Sequence, residues 1–285
     1  MRTTKVALAR KLGISRASLY YKPKKPPADA EDKNKIVAVM EEHPAYGSRR
    51  VAIALGVNRK KTARLMRAHG LKPRIRRGFR LTKPDDLGKP ETRIPNILKT
   101  FCPIRTNIVW AGDFTYLWFV DRFWYLATAI DVHTREIVGW HVANHHTTAL
   151  IMEAFTDATR RTGMAPTWFH SDQGSEYVSG AYESLLASHG TSPSHSRKSS
   201  PWQNGFQESF YSQFKLELGD VRRFAHVGQL IEAIHQQIAY YNTRRIHLAL
   251  KMPPMRFRET QQQKIAALAA RNDGSYSPSL LGKSV

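Results

Sequence analysis

The 285-residue chain reads as an α/β protein, a mixed sheet with helical cover, preceded by a basic all-α helix-turn-helix region. Three observations carry this. The charge is segregated: residues 1–100 hold 26 Lys and Arg against 8 Asp and Glu, whereas the remainder holds 18 against 15. The tryptophans are segregated the other way, since all six (Trp110, Trp118, Trp124, Trp140, Trp168, Trp202) follow residue 100. The periodic segments after residue 105 run strand, strand, strand, helix, strand, an order that builds a sheet with helices packed on it.

The front part comes first. A net charge of +21 calls for a polyanionic partner, and its concentration in the first hundred residues points to a DNA-binding unit on a separately folded body. Two stretches repeat one local pattern 43 residues apart, Leu12-Gly13-Ile14-Ser15-Arg16 and Leu55-Gly56-Val57-Asn58-Arg59. In each, an amphipathic segment ends at a glycine suited to a left-handed turn, and Ser15 or Asn58 then caps a second helix. That is the helix-turn-helix pattern. Arg16 in the first copy, and Lys60, Lys61, Arg64 and Arg67 in the second, are the expected phosphate and base contacts. Four prolines (Pro84, Pro90, Pro95, Pro103), Gly88 and Asp85-Asp86 mark a linker. The expected organisation is a basic region over 1–77, a linker over 78–104, a body over 105–250 and a tail over 251–285, with Glu259–Arg271 an exposed helix or oligomer contact.

In the body, strands are expected over Asn107–Phe119, Phe123–Asp131, Arg135–Ala143 and Pro166–Ser171, with a helix over Thr147–Thr162. Asp113 interrupts an otherwise apolar first strand. Burying a carboxylate there costs several kcal/mol without compensation, so it is either tied into a network or holds a metal. Asp172 ends the fourth strand within His170–Tyr177, where Gly174 allows close backbone approach. Glu208 lies on a helix in Ser200–Lys215 whose Phe206, Phe210 and Phe214 form one apolar stripe. At about 100° per residue, Glu208 and Lys215 fall on one face, away from that stripe. Three converging carboxylates repel, and two Mg²⁺ ions, or Mn²⁺ in their place, resolve this with oxygen ligands while catalysing phosphoryl transfer. Asp121, Asp131, Asp157 and Glu176 are assigned to caps and salt bridges, with Asp131 capping the turn at Thr134, and His170 to orienting its neighbours.

A single cysteine, Cys102, excludes a disulfide framework and a multi-cysteine zinc site. No apolar run approaches a membrane span, and Met1–Gly13 lacks the apolar stretch of a secretory signal, so an intracellular, soluble protein is expected.

These residues resemble the DDE transposases and retroviral-type integrases, and among them the second-reading-frame product of bacterial insertion sequences of the IS3 family. Between Asp172 and Glu208 stand 35 residues, the interval typical of the family, and Lys215 takes the place of its basic residue at the transposon end. His170–Tyr177, Ser196–Lys198, Asn204-Gly205, Glu208-Ser209-Phe210 and Tyr240–Leu250 match as well, as do His43–Val51 and Arg64–Leu71 in the front part. The resemblance covers about residues 40–257. It implies a ribonuclease-H-like core with a mixed five-stranded sheet, Asp113, Asp172 and Glu208 as catalytic metal ligands, and Lys215, Gln203 and Asn204 as DNA contacts. It further implies cleavage and joining of double-stranded DNA at transposon ends and target, by a homo-oligomer, with a circular intermediate. The place of action would be the bacterial cytoplasm at the nucleoid, and an upstream-frame fusion or partner would be involved. Ser199–Trp202 departs from the family's small-polar run, and the lack of a His/Cys zinc module argues against a retroviral integrase proper. A DNA-binding regulator without catalysis and a ribonuclease-H-type nuclease are the other readings; the intact acid trio disfavours the first and the helix-turn-helix region the second.

Overall fold

The computed structural model describes residues 4–20, 26–74, 93–197, 200–271 and 283–284. The chain divides into two compact units, Met1–Pro73 and Arg74–Val285. Among the described residues, no helix is long and apolar enough to cross a membrane.

The first unit contains α1 (Lys5–Lys11), α2 (Pro26–Glu42), α3 (Ser48–Leu55) and α4 (Arg59–Ala68). Ile36 and Tyr46 meet Val51, Leu65 and Met66 in a small core, all of them buried. The α3–α4 turn follows its sequence. Gly56 takes φ +63°, the Val57 N–H donates to the Ala52 carbonyl, and Asn58 Oδ1 accepts from the Lys60 N–H at 2.7 Å. The first copy is half of what its sequence suggests. Gly13 and Ser15 do turn and cap the chain, but the second helix is only the 3₁₀ turn Arg16–Leu19. Val6, Leu8, Leu12 and Ile14 around it are exposed, so among the described residues no core supports a longer helix.

The second unit is built on a five-stranded mixed sheet: β1 (Val109–Phe119), β2 (Arg122–Asp131), β3 (Ile137–Ala143), β4 (Trp168–Ser171) and β5 (Ser192–His195). The spatial order is β3-β2-β1-β4-β5, with β1–β2 and β2–β3 antiparallel and β1–β4 and β4–β5 parallel. Together with its flanking helices this is the ribonuclease-H-like arrangement. Alternation along β1 sends Val109, Ala111, Leu117 and Phe119 to one face, under α7 (Gly205–Leu218) and α8 (Val227–Thr243). Trp110 goes to the other, under α5 (Thr148–Thr162) and α6 (Gly180–Ser188).

Asp131 closes the β2–β3 turn with both carboxylate oxygens. Oδ1 accepts from the His133 and Thr134 N–H groups and the Thr134 hydroxyl, and Oδ2 from the Asn107 N–H. Of the expected linker, 78–92 lies outside the described residues, but from Arg93 onward the chain is held by the body. Asn96 Nδ2 donates to Gln203 Oε1, the Ile97 N–H donates to Ser194 Oγ, and Leu98 and Phe101 pack against the core. The final helix, α9 (Pro254–Arg271), is likewise not a detached tail. Its Arg258 reaches buried Glu136 at 2.8 Å and its Phe257 packs on His133, while Ile265 and Leu268 further along are exposed.

At Gly139 on β3 the backbone of α5 packs directly against the strand. A Cβ there would stand 2.4 Å from the Ala158 nitrogen and 2.5 Å from the Ala154 carbonyl, both of them helix backbone. Gly139→Ala is therefore expected to push α5 off β3 and cost about 3 kcal/mol in urea denaturation, whereas Gly163→Ala, where a Cβ meets open space and only the turn is strained, costs about 1 kcal/mol.

Candidate active site

Three elements each deliver one acid. Asp113 lies on the β1 face that meets α7, paired in register with Thr128 of β2. Asp172 follows the last residue of β4, and its Oδ1 accepts from the Gly174 N–H at 3.0 Å. A side chain at position 174 would crowd that same oxygen, at 3.1 Å. Glu208 sits in the first turn of α7 and is exposed. All three line one cavity of about 330 Å³, together with Ser196, Arg197, Asn204 and Tyr211.

The helix is held to this place by polar side chains. Gln207 is fully buried; its Nε2 donates to the carbonyls of Ala111 and Thr128, the latter at 3.0 Å, and its Oε1 accepts from the Thr128 hydroxyl at 2.9 Å. The Tyr211 hydroxyl donates to the Asp113 carbonyl at 2.6 Å, and Asn204 Nδ2 to the Gly112 carbonyl at 3.1 Å. Positions 204, 207 and 211 recur at helical spacing, so one side of the segment grips the strand from Ala111 to Asp113 and leaves Glu208 on the cavity. Neither Gln207 nor Tyr211 stands out in sequence, where the phenylalanine stripe draws the eye; the i, i+4 pairing of two polar-tipped residues beside that stripe is the only trace. Gly112 also belongs to this arrangement, because a Cβ would lie 2.3 Å from the buried Phe169 ring.

The cluster is electrostatically uneven. Burial, then the Asp172 carboxylate and more weakly that of Glu208, lift the Asp113 carboxyl from its ordinary range to about 7, against the pull of the Phe114 N–H at 2.8 Å. His170 adds no compensating charge: burial pushes it down to about 4, so it is a neutral ring, with Nδ1 2.9 Å from Ser194 Oγ. Among the described residues, no three His, Cys, Asp or Glu side chains are drawn close enough together to hold an ion as they stand. The trio shares a cavity without forming a closed ligand set. The other acids have partners elsewhere: Asp121 with Arg122, Asp157 with Arg160 and Arg161, and Glu176 with His146.

The chain matches the integrase core domain family over residues 104–201 and, in a second description of that domain, over 189–254; residues 27–79 match an HTH-like domain. It is 35% identical over 233 residues to the transposase for insertion sequence element IS904 of Lactococcus lactis, covering 76% of this chain and 88% of that protein. The chain belongs to the insertion-sequence transposases of the IS3 family. InsK of insertion sequence element IS150 of Escherichia coli is 30% identical, with 88% of this chain and 92% of that one covered. The 31 kDa protein of insertion element IS600 of Shigella sonnei is 32% identical, with 89% and 98% covered. Among solved structures, the HTLV-2 integrase catalytic core domain in complex with magnesium aligns with a TM-score of 0.45 and 16% identity, over 55% of this chain and 99% of that one.

The remaining residues expected to contact DNA in this IS3-family chain fall into two groups. Lys215 Nζ sits 4.8 Å from the centroid of the Tyr116 ring, and Asn204 is on the cavity. Gln203 Oε1 is occupied, accepting from Asn96 Nδ2 of the segment before the sheet and from the Arg197 N–H of its own loop. In the first unit Arg16, Lys60 and Arg67 are exposed, but Arg64 is paired with Asp29 of α2 at 2.9 Å and Lys61 with Asp32.

The raised Asp113 has a consequence for stability. Its carboxyl holds a proton more tightly folded (about 7) than unfolded, where the ordinary value is 3.8, so the folded state binds the extra proton between these pH values. Stability conferred by that proton is complete below about pH 4 and is lost as pH rises through 7. In EDTA, thermal melts are expected to show Asp113→Asn more stable than the parent at pH 8, with the advantage shrinking toward pH 5; a constant difference across that range would contradict the assignment.

Proposed function

We propose that this chain is a transposase that cuts DNA at insertion-sequence ends and transfers the freed strand, with Asp113, Asp172 and Glu208 as the carboxylates of the reaction. The observation that carries the proposal is the shared cavity in which Asp113 is lifted to about 7 by burial and by the two other acids. An anionic cluster of oxygen donors suits a hard divalent ion such as Mg²⁺, with Mn²⁺ able to substitute. The three carboxylates would hold one or two such ions, and Asn204 Oδ1, buried and without a hydrogen-bond partner among the described residues, is a further oxygen at the same cavity. When bound, divalent ions lower the pKa of the attacking hydroxyl and stabilise the departing 3′ oxygen.

The chain's own residues then have distinct tasks. Asp113 must release its proton to serve as a ligand. Gln207 and Tyr211 keep Glu208 facing it. Arg197 on the cavity and Lys215 on α7 supply positive charge to the phosphates, while Gln203 shapes the loop between them. In the first step water attacks phosphorus at the element end, the P–O3′ bond breaks, and the 3′ oxygen takes up a proton. In the second, that 3′ hydroxyl attacks another phosphodiester and displaces its 3′ oxygen, so bond count is conserved without a covalent protein intermediate. We further propose that the first unit binds double-stranded DNA and that the protein works as a homo-oligomer on it, alone or joined to an upstream-frame product.

Asp113→Asn, Asp172→Asn and Glu208→Gln are each expected to lower Mg²⁺-dependent cleavage and joining about a thousandfold or more, a loss of roughly 4 kcal/mol of transition-state stabilisation, with end binding retained. Full-rate joining by the Glu208→Gln protein would refute the proposal, and hydrolysis of RNA–DNA hybrids without any joining would favour a nuclease. In the first unit, Lys60→Ala and Arg67→Ala should each reduce the slope of log affinity against log salt by about 1. Lys61→Ala and Arg64→Ala, whose charges are already paired with α2, should change that slope less; equal effects from all four would show that the ion pairs do not compete with DNA.

A further inference from the structure

Past Ala111, β1 is paired by β2 alone among the described residues, and the hairpin runs on beyond the sheet's third and fourth neighbours. Its outer face there is aromatic and uncovered: Tyr116 is 58% exposed, Trp118 53% and Phe123 40%. Phe123 stands between the other two, edge to face, 5.2 Å from Tyr116 and 4.8 Å from Trp118. It braces both rings without burying them. The row continues inward through Tyr125 to Phe114, the residue after Asp113 and part of the lining of the acid cavity.

We propose that the rings of Tyr116 and Trp118 form a stacking surface for unpaired bases of the DNA strand engaged at that cavity; this rests on the reading of the cavity as the site of DNA cleavage. Three features select this occupant over an apolar protein segment. The exposed Tyr116 and Trp118 side chains are flat π surfaces, on which any base can stack. The Lys215 ammonium lies over the Tyr116 ring, so a cation and an aromatic face are presented together, the pairing that suits a phosphate and its own base. The surface also reaches the rim of the acid cavity, since Phe114, which lines that cavity, joins the aromatic row through Tyr125 to Phe123, and Trp118 stands five residues from Asp113 along the strand, about 17 Å at about 3.3 Å per residue, a distance that spans a few stacked nucleotides.

The test uses the full-length chain in EDTA, so that no strand is cut, with two fluorescein-labelled duplexes of one arbitrary sequence, one blunt and one carrying five unpaired nucleotides at an end. The parent protein should bind the forked duplex more tightly than the blunt one. Trp118→Ala and Tyr116→Ala should each weaken forked binding by about fivefold or more, the lower end of what one stacked base contributes, and leave blunt-duplex binding unchanged. Trp118→Phe should keep most of the preference. Both positions are exposed, so unchanged thermal melts are expected and serve as the folding control. A parent without preference, or alanine variants that keep it, would overturn the proposal while leaving the acid cavity untouched. The proposal also falls if the alanine variants alter the sedimentation mass and not the forked preference, because a second copy of the chain then covers the face. Failure of the parent to bind either duplex would instead overturn the DNA-cleavage reading itself, and this proposal with it.

Discussion

The hydrogen bonds from Asn204, Gln207 and Tyr211 to the main chain of β1 and β2 are the constraint on which the rest of the second unit's chemistry depends. Strand carbonyls inside a sheet are normally taken up by the N–H groups of neighbouring strands, and a packed helix meets the sheet through apolar side chains. Here three polar groups of one segment reach the carbonyls of Ala111, Gly112 and Asp113, and the Gln207 amide is satisfied at both ends. Because Gln207 is fully buried, its bonds lie where water cannot replace them and misplacement would leave donors and acceptors unpaired. A helix seated only on Phe210 and Phe214 could rotate or slide by a fraction of a turn at little cost. One seated on carbonyls at fixed strand positions cannot. The neighbouring Glu208 inherits that precision.

The same packing explains why the Asp113 carboxyl holds its proton so tightly. It points into the layer between sheet and helix, while Asp172 and Glu208 are exposed, so the burial falls on one member of the trio and the repulsion from the other two is felt there. The neutral His170 behind the site and the ion-paired Asp157 and Glu176 further out leave that imbalance uncorrected. It is a local electrostatic strain held in place by a well-packed fold.

Much of this was legible in the sequence, and the gaps have physical causes. The strands β1 to β4 and α5 are written in β-branched, aromatic and periodic residues, and their expected and observed limits differ by a residue or two. β5 is Ser-Pro-Ser-His, with no strand-forming residue; it is held by parallel pairing to β4 at the sheet's edge, where a proline is tolerated. The glycine and cap of the α3–α4 turn announced themselves because both act locally. The partners of Lys61 and Arg64 did not, since Asp29 and Asp32 lie some thirty residues earlier and meet α4 only through tertiary packing. The three acids were singled out by type and spacing, but their common cavity depends on contacts between α7 and β1 that cross more than ninety positions and leave no periodic mark. Gln207 is the clearest case: an isolated glutamine on a helix reads as surface, and only the carbonyls opposite make it interior.

The order in which the chain is synthesised gives the late position of α7 a further meaning. The β1–β2 hairpin, closed by a short turn, needs only neighbouring residues to form, and Asp172 follows once β4 pairs with β1. Glu208 arrives last and is seated only when Gln207 and Tyr211 find the hairpin's main chain. A polypeptide interrupted by a premature stop or by proteolysis ahead of residue 205 would thus keep its basic helices and two of its acids and lack the third together with the clamp that seats it. Under the function proposed above, such a fragment would keep the DNA-binding helices and lack the complete cutting site, which would turn an unfinished copy of the protein into a competitor of the finished one.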